Sequence, residues 1–257
     1  EHSRGWRGHP ALRGHRSGKS VSNHFSIVKH EATKDSFAVQ FADQLAGLEL
    51  NIDYQLDQHG ILTVQSTIKN VAEGDYQLEQ LLNWLPLPPQ ADEVLDFFGH
   101  HCKERQPQRY PITYGLTTRE GFEGRSGHDF TITQIALNKS TNFQSGDAWS
   151  FAVAWSGNNV NHIEKLVDDN ISIGGGEYLL PGEIILKSGE SYSTPKVIAG
   201  YSANGLDEIT NKHYAHLRSR KNHPKSERPV NLNLWEAVYF DHNFEKLSKI
   251  IEKASEV

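Results

Sequence analysis

Methionine is absent from the 257 residues, and cysteine occurs once, at Cys102. A single cysteine excludes an intrachain disulfide and fits a reducing, cytoplasmic compartment. No apolar run approaches the length that crosses a bilayer, and no secretory signal is recognisable, so no membrane partner is expected. Basic residues do not dominate: the net charge is −6, which argues against nucleic acid as a partner. Phosphate and dinucleotide loops are missing too. The run Gly174-Gly175-Gly176 lacks both the Lys-Ser/Thr of the first and the spacing of the second. It reads as a tight turn or bulge, and no cofactor is expected. The chain opens on Glu1-His2-Ser3, from which a preceding segment is expected.

What is present is mostly strand-like. Leu48, Leu50, Ile52, Tyr54 and Leu56 alternate with polar residues. After the turn Asp57-Gln58-His59-Gly60, Leu62, Val64, Ser66 and Ile68 alternate again, which predicts a hairpin. One apolar and one polar face indicate antiparallel sheet. Repetition of this pattern over residues 25–200 predicts a two-layer antiparallel β-sandwich. Residues 147–155 alternate as a core strand, in which Trp149 and Trp155 are expected as packing anchors rather than sugar platforms.

Helical spacing begins after Pro195. Leu206, Ile209, His213 and Leu217 share a face, with Asp207 and Glu208 in the first turn and basic residues in the last. A polar linker with Pro224 spans residues 222–227. The predicted division is therefore 1–221, linker 222–227, and 228–257. In the last part Val230, Leu232 and Leu234 alternate as a strand, and Asp241 and Asn243 can cap a helix carrying Leu247, Ile250, Ile251 and Ala254. One strand, one loop and one helix make a βα unit, the first step of a (β/α)8 barrel. Trp235 would stand at the C-terminal end of that strand, the ligand face of such barrels, where it either plugs the barrel top or packs on a ligand.

Three polar clusters invite chemistry. Residues 1–24 are basic and rich in glycine and histidine, including Trp6, Arg7 and His9. They form either a solvated loop or a set of donors and an indole for a hydroxyl-rich ligand. His100-His101-Cys102 offers metal-ligand types, but no second cysteine or properly spaced histidine pair accompanies them, so a structural zinc site is not expected. Between Glu104 and Asp129, arginines and carboxylates alternate. Acid–base work is one reading, and an ion-pair network bracing long loops is the preferred one.

Four blocks carry a resemblance: ERQPQRYPITYGLTTREGFEGRSGHDF (104–130), WSGNN (155–159), YSANGLDEITNKHYAHLR (201–218) and RPVNLNLWEAVYFDHN (228–243). In this order they resemble the α-galactosidases of glycoside hydrolase family 36. The resemblance covers nearly the whole chain. It implies a galactose mutarotase-like β-supersandwich followed by a helix and the start of a TIM barrel. It also implies a homo-oligomeric, retaining enzyme acting on terminal α-galactosides of the melibiose or raffinose type. Both catalytic aspartates of the family lie on later barrel strands, and its Asp-Asp-Gly motif would begin shortly after Val257. No residue of this chain is therefore expected to be catalytic, and the chain alone is expected to be inactive. By resemblance Trp235 lines the galactose pocket, and Trp6, Arg7 and His9 lie in a loop that reaches toward it. Many relatives carry a sugar-binding Asp in that loop, and here Trp6-Arg7-Gly8-His9 has none. A non-catalytic carbohydrate-binding or assembly module is the alternative. Hydrolysis and transfer share their covalent first step and are not separable from the residues.

Overall fold

The structure is a computed structural model and describes residues 8–19 and 21–256. It divides into two compact units, residues 1–218 and 219–257.

Seventeen strands lie in the described part of the first unit. The first six are β1 (Leu12–His15), β2 (Ser26–Ala32), β3 (Ser36–Asp43), β4 (Leu48–Leu56), β5 (Ile61–Asn70) and β6 (Tyr76–Leu81). Next come β7 (Asn83–Leu87), β8 (Glu93–His100), β9 (Lys103–Pro111), β10 (Gly115–Gly121), β11 (Thr133–Leu137) and β12 (Ala148–Val153). The last five are β13 (Asn159–Lys165), β14 (Ile171–Glu177), β15 (Ile184–Leu186), β16 (Ser191–Ser193) and β17 (Val197–Ser202). Helix α1 (Gly205–Ser219) follows.

One large sheet runs β2-β3-β4-β5-β17-β12-β11-β8-β9, with β16 also on β5. The facing layer comes in two pieces, β10-β13-β14-β7 and β1-β6-β15. β6 and β7 are consecutive in the chain and separate at Leu82, whose N–H donates instead to the Ala11 carbonyl. The paired strands are antiparallel throughout these ladders.

Alternation explains the core. Val64, Val94, Ala136 and Phe151 of the large sheet meet Ile163, Ile171 and Ile173 of the four-stranded sheet. A second cluster joins Leu48 and Ile68 to Leu12, Leu78, Leu81 and Leu186 around the three-stranded sheet. The predicted hairpin is β4–β5, in register from Leu48↔Asn70 to Leu56↔Leu62. At its turn Asp57 Oδ1 accepts from the backbone N–H groups of His59 and Ile61.

The Asp57 carboxylate also holds α1. His216 Nδ1 lies 2.8 Å from Asp57 Oδ2. Burial pulls the Asp57 pKa up, and hydrogen bonds from Ile61, His216 and His59 outweigh it, so the net shift is downward. At the other end of the helix, Gly205 is left-handed (φ 78°), and a Cβ there would sit 2.5 Å from the Asn142 carbonyl. Ile209 packs the helix onto Leu137 and Ala148.

Two expectations change here. Gly174-Gly175-Gly176 is neither a turn nor a bulge but the buried middle of β14. A Cβ on Gly174 would meet the Trp84 ring at 2.4 Å, and one on Gly175 would meet the Val160 carbonyl at 2.5 Å. The glycines are there because neighbours occupy the space of their side chains. Trp155 lies beyond the end of β12 and is partly exposed, so only Trp149 is packed against the core.

In the second unit, helix α2 (Trp235–Val238) and helix α3 (Phe244–Ser255) form. Asn243 caps α3 by accepting from the Lys246 N–H, as its position predicts. The predicted strand does not form: residues 229–234 belong to no ladder. Alternation makes a strand only when neighbours satisfy its backbone groups, and the described residues provide none here.

Candidate functional site

The first unit holds a cavity of about 440 Å³ over one face of the four-stranded sheet. Its floor follows from strand register. Leu116, Thr118 and Glu120 point the same way from β10, and Val160 and His162 from β13. Thr118 lies opposite His162, His162 opposite Gly174, and Gly174 opposite Trp84. Because Gly174 has no side chain, the Trp84 indole lies across it and stacks on His162, with centroids 5.6 Å apart and planes 11° from parallel.

His162 is buried, and its Nδ1 lies 3.0 Å from Thr118 Oγ1. Burial, reinforced by the nearby His9 and Arg13, pushes its pKa down to about 3. The ring is therefore neutral at physiological pH and can share hydrogen bonds with hydroxyls as donor or acceptor.

The walls come from other elements. Arg13 on β1, Glu79 and Gln80 on β6, and Glu177, Tyr178, Leu179 and Pro181 from the end of β14 and the segment after it complete the lining. The Tyr192 hydroxyl donates to Glu177 Oε2 at 2.6 Å. His15 Nε2 lies 3.4 Å from Glu79. Carboxylates, a guanidinium, an amide and a neutral imidazole between apolar patches suit a polar, hydroxyl-rich molecule.

Of the candidate ligand-binding residues that the structure describes, His9 joins this cavity and Trp235 does not. The His9 backbone N–H donates to the buried Glu164 Oε2 at 2.8 Å, and its ring lies 4.8 Å from that of His162. Trp6 and Arg7 lie outside the described residues. Trp235 belongs to the second unit. It opens α2 rather than ending a strand, with its N–H donating to Asn233 Oδ1 at 2.9 Å. Tyr239 and Phe240 contact its indole edge-on at 5.7 and 5.0 Å, and all three rings are exposed.

The charged stretch after Glu104 is an arginine–carboxylate network. Arg109 bonds Glu93 at 2.6 Å and the Thr141 carbonyl at 2.7 Å. Arg119 faces Asp96 at 3.4 Å and donates to the Asp129 carbonyl at 3.0 Å. Asp96 also accepts from the Tyr110 hydroxyl, whose pKa is raised by burial and by that carboxylate.

Comparison with known proteins bears on both units. The sequence pattern of the glycosyl hydrolase family 36 N-terminal domain matches residues 1–187, and that of melibiase matches residues 191–257. The α-galactosidase of Escherichia coli is 32% identical over 248 residues, 96% of this chain and 35% of that protein. The crystal structure of the GH36 α-galactosidase AgaA from Geobacillus stearothermophilus superposes with a TM-score of 0.89 at 24% identity, over 96% of this chain and 38% of that one. An AgaA variant in complex with raffinose gives 0.88 at 23% identity, with the same coverage. The chain thus spans about a third of the length of the curated relatives it matches. No helix among the described residues is long and apolar enough to cross a membrane. With one family pattern covering most of the chain and its companion following in order, the chain belongs to glycosyl hydrolase family 36.

Proposed function

We propose that this chain is the N-terminal part of a retaining α-galactosidase that hydrolyses terminal α-galactosides of the melibiose or raffinose type. The observation that carries the reading is the similarity to the Escherichia coli α-galactosidase over 96% of the chain. Raffinose bound to the AgaA variant supports the substrate class. Retaining hydrolysis uses two carboxylates about 5 Å apart, one attacking the anomeric carbon and one protonating the leaving oxygen. By family resemblance these are aspartates on barrel strands beyond the first, so the sandwich and the segment after it position and bind rather than catalyse. The working division is 1–221, linker 222–227 and the barrel's opening segment 228–257.

In this reading Trp235 packs on the apolar side of galactose, and Trp6, Arg7 and His9 present an indole and hydrogen-bond donors to sugar hydroxyls. The exposed ring of Trp235 and the placement of His9 on a polar cavity support these roles. The working assembly is a cytoplasmic homo-oligomer; the edge strand β2, which exposes Ile27 and Val28, supports the oligomer.

Assay with an aryl α-galactoside tests the proposal. A longer protein carrying this chain and a complete barrel turns the substrate over, and the 257-residue chain alone does not exceed a buffer blank. Turnover by the chain alone would overturn the division of labour, and an inactive longer protein would overturn the α-galactosidase reading. The cavity favours a second reading, a carbohydrate-binding module. Calorimetric binding of raffinose by the chain alone, lost in His162→Ala, would support it.

A further inference from the structure

The tip of the β8–β9 hairpin gathers side chains from two separate segments. The hairpin turns at His101 and Cys102, with His100 opposite Lys103. Cys102 (φ 64°) and Arg105 (φ 52°) are both left-handed. The Cys102 N–H donates to Glu104 Oε1 at 2.9 Å, folding that carboxylate back over the turn. His101 Nδ1 lies 3.9 Å from the same oxygen.

The third side chain comes from the loop after β10. Arg119 organises the approach: it pairs with Asp96 on β8 and holds the carbonyl of Asp129, the residue after His128. His128 is thereby brought to the hairpin, its ring centroid 6.4 Å from that of His101. One ligating atom each of His101, Glu104 and His128 lies within 4.8 Å of the other two.

We propose that His101, Glu104 and His128 bind a divalent ion of the zinc class and so clip the hairpin tip to the loop of residues 122–130. Two imidazole nitrogens and one carboxylate oxygen suit Zn²⁺, Ni²⁺ or Cu²⁺ better than the hard ions Mg²⁺ or Ca²⁺. Zinc bonds of about 2.0–2.2 Å require tetrahedral ligand atoms to stand roughly 3.3 Å apart. All three side chains are exposed, so they can close by the remaining ångström or so without disturbing a core. Water completes the fourth position. Ligation needs neutral imidazoles, so protons compete with the ion.

Calorimetric titration of the purified chain with ZnCl₂ at pH 7.5 tests this, with Co²⁺ absorption as a second readout. The expected result is one equivalent bound with micromolar affinity and a tetrahedral cobalt spectrum. His128→Ala and His101→Ala each weaken binding tenfold or more, as does lowering the pH to 5.5. Because these side chains are exposed, circular dichroism of the variants matches the parent. Affinity no better than millimolar would overturn the site. So would binding that survives unchanged in His128→Ala, since it would then belong to other histidines.

Discussion

The two units treat the same kind of sequence pattern in opposite ways. In β5, alternation puts Val64, Ser66, Ile68 and Asn70 inside, because β4, β16 and β17 pair with the strand and a second layer covers it. Around Leu232 an equally regular alternation yields no strand. Helix α3 has a strong apolar face and not one buried residue, and Val238 is the single buried residue among those described from 219 onward. What holds α3 together is local: the Asn243 cap and pairs such as Glu245–Lys249 at 2.7 Å. Periodicity thus states which face a segment offers. Whether that face builds structure depends on what is offered back.

The comparison can be broken most forcefully in the core. Phe151→Ala removes a fully buried ring between the layers and is expected to cost about 3–5 kcal/mol in urea unfolding of the first unit. A loss under about 1 kcal/mol would mean that the layers do not share that core.

Acid is the next lever. The His162 pKa is depressed, so below pH 6.5 the unfolded chain binds a proton that the folded chain refuses until about pH 3. Stability from this group is complete above pH 6.5 and is lost as pH falls. Between pH 6.5 and 4.5 the loss is roughly 2–3 kcal/mol. Subtracting the pH profile of His162→Gln isolates it, and identical profiles would contradict the burial of a neutral ring.

Trp235→Ala sharpens the contrast from the other side. In a longer protein carrying a complete barrel, and on the proposed role of its indole, it is expected to weaken galactose binding by about 1–3 kcal/mol with no change in the urea midpoint of the sandwich. Unchanged affinity by calorimetry would return the indole to a packing role within its own aromatic cluster. The smallest effect belongs to Asn243→Ala, about 1 kcal/mol, seen as reduced helical signal with the sandwich transition unmoved.

Much of the sandwich was legible because a period of two is local information. The β4–β5 hairpin and α1 follow from residues that the chain displays side by side. Gly174-Gly175-Gly176 was misread for the same reason: local rules see a turn, and only Trp84, Val160 and Leu82 across the sheet reveal close packing. His162 was missed because one polar residue in a strand gives no hint of what stacks on it, although Asn159, Asn161, His162 and Glu164 together make an unusually polar buried strand. The nearness of His128 to His101 is invisible along the chain, because His128 is remote in sequence and arrives on a separate loop. The strand before Trp235 was over-read because alternation carries no information about neighbours. Trp6 and Arg7 fall outside the described residues.

The pairing of Gly174 with Trp84 has a practical corollary for anyone scanning the cavity by mutation. Position 174 offers no side chain to a ligand, yet even a methyl group there would lift the indole and open one side of His162 to water. The imidazole would then regain a proton nearer neutrality, and the cavity floor would become cationic in mild acid. A survey that scores only binding would rank Gly174 beside the contact residues, whereas NMR titration of His162 would identify it as the spacer that sets their charge.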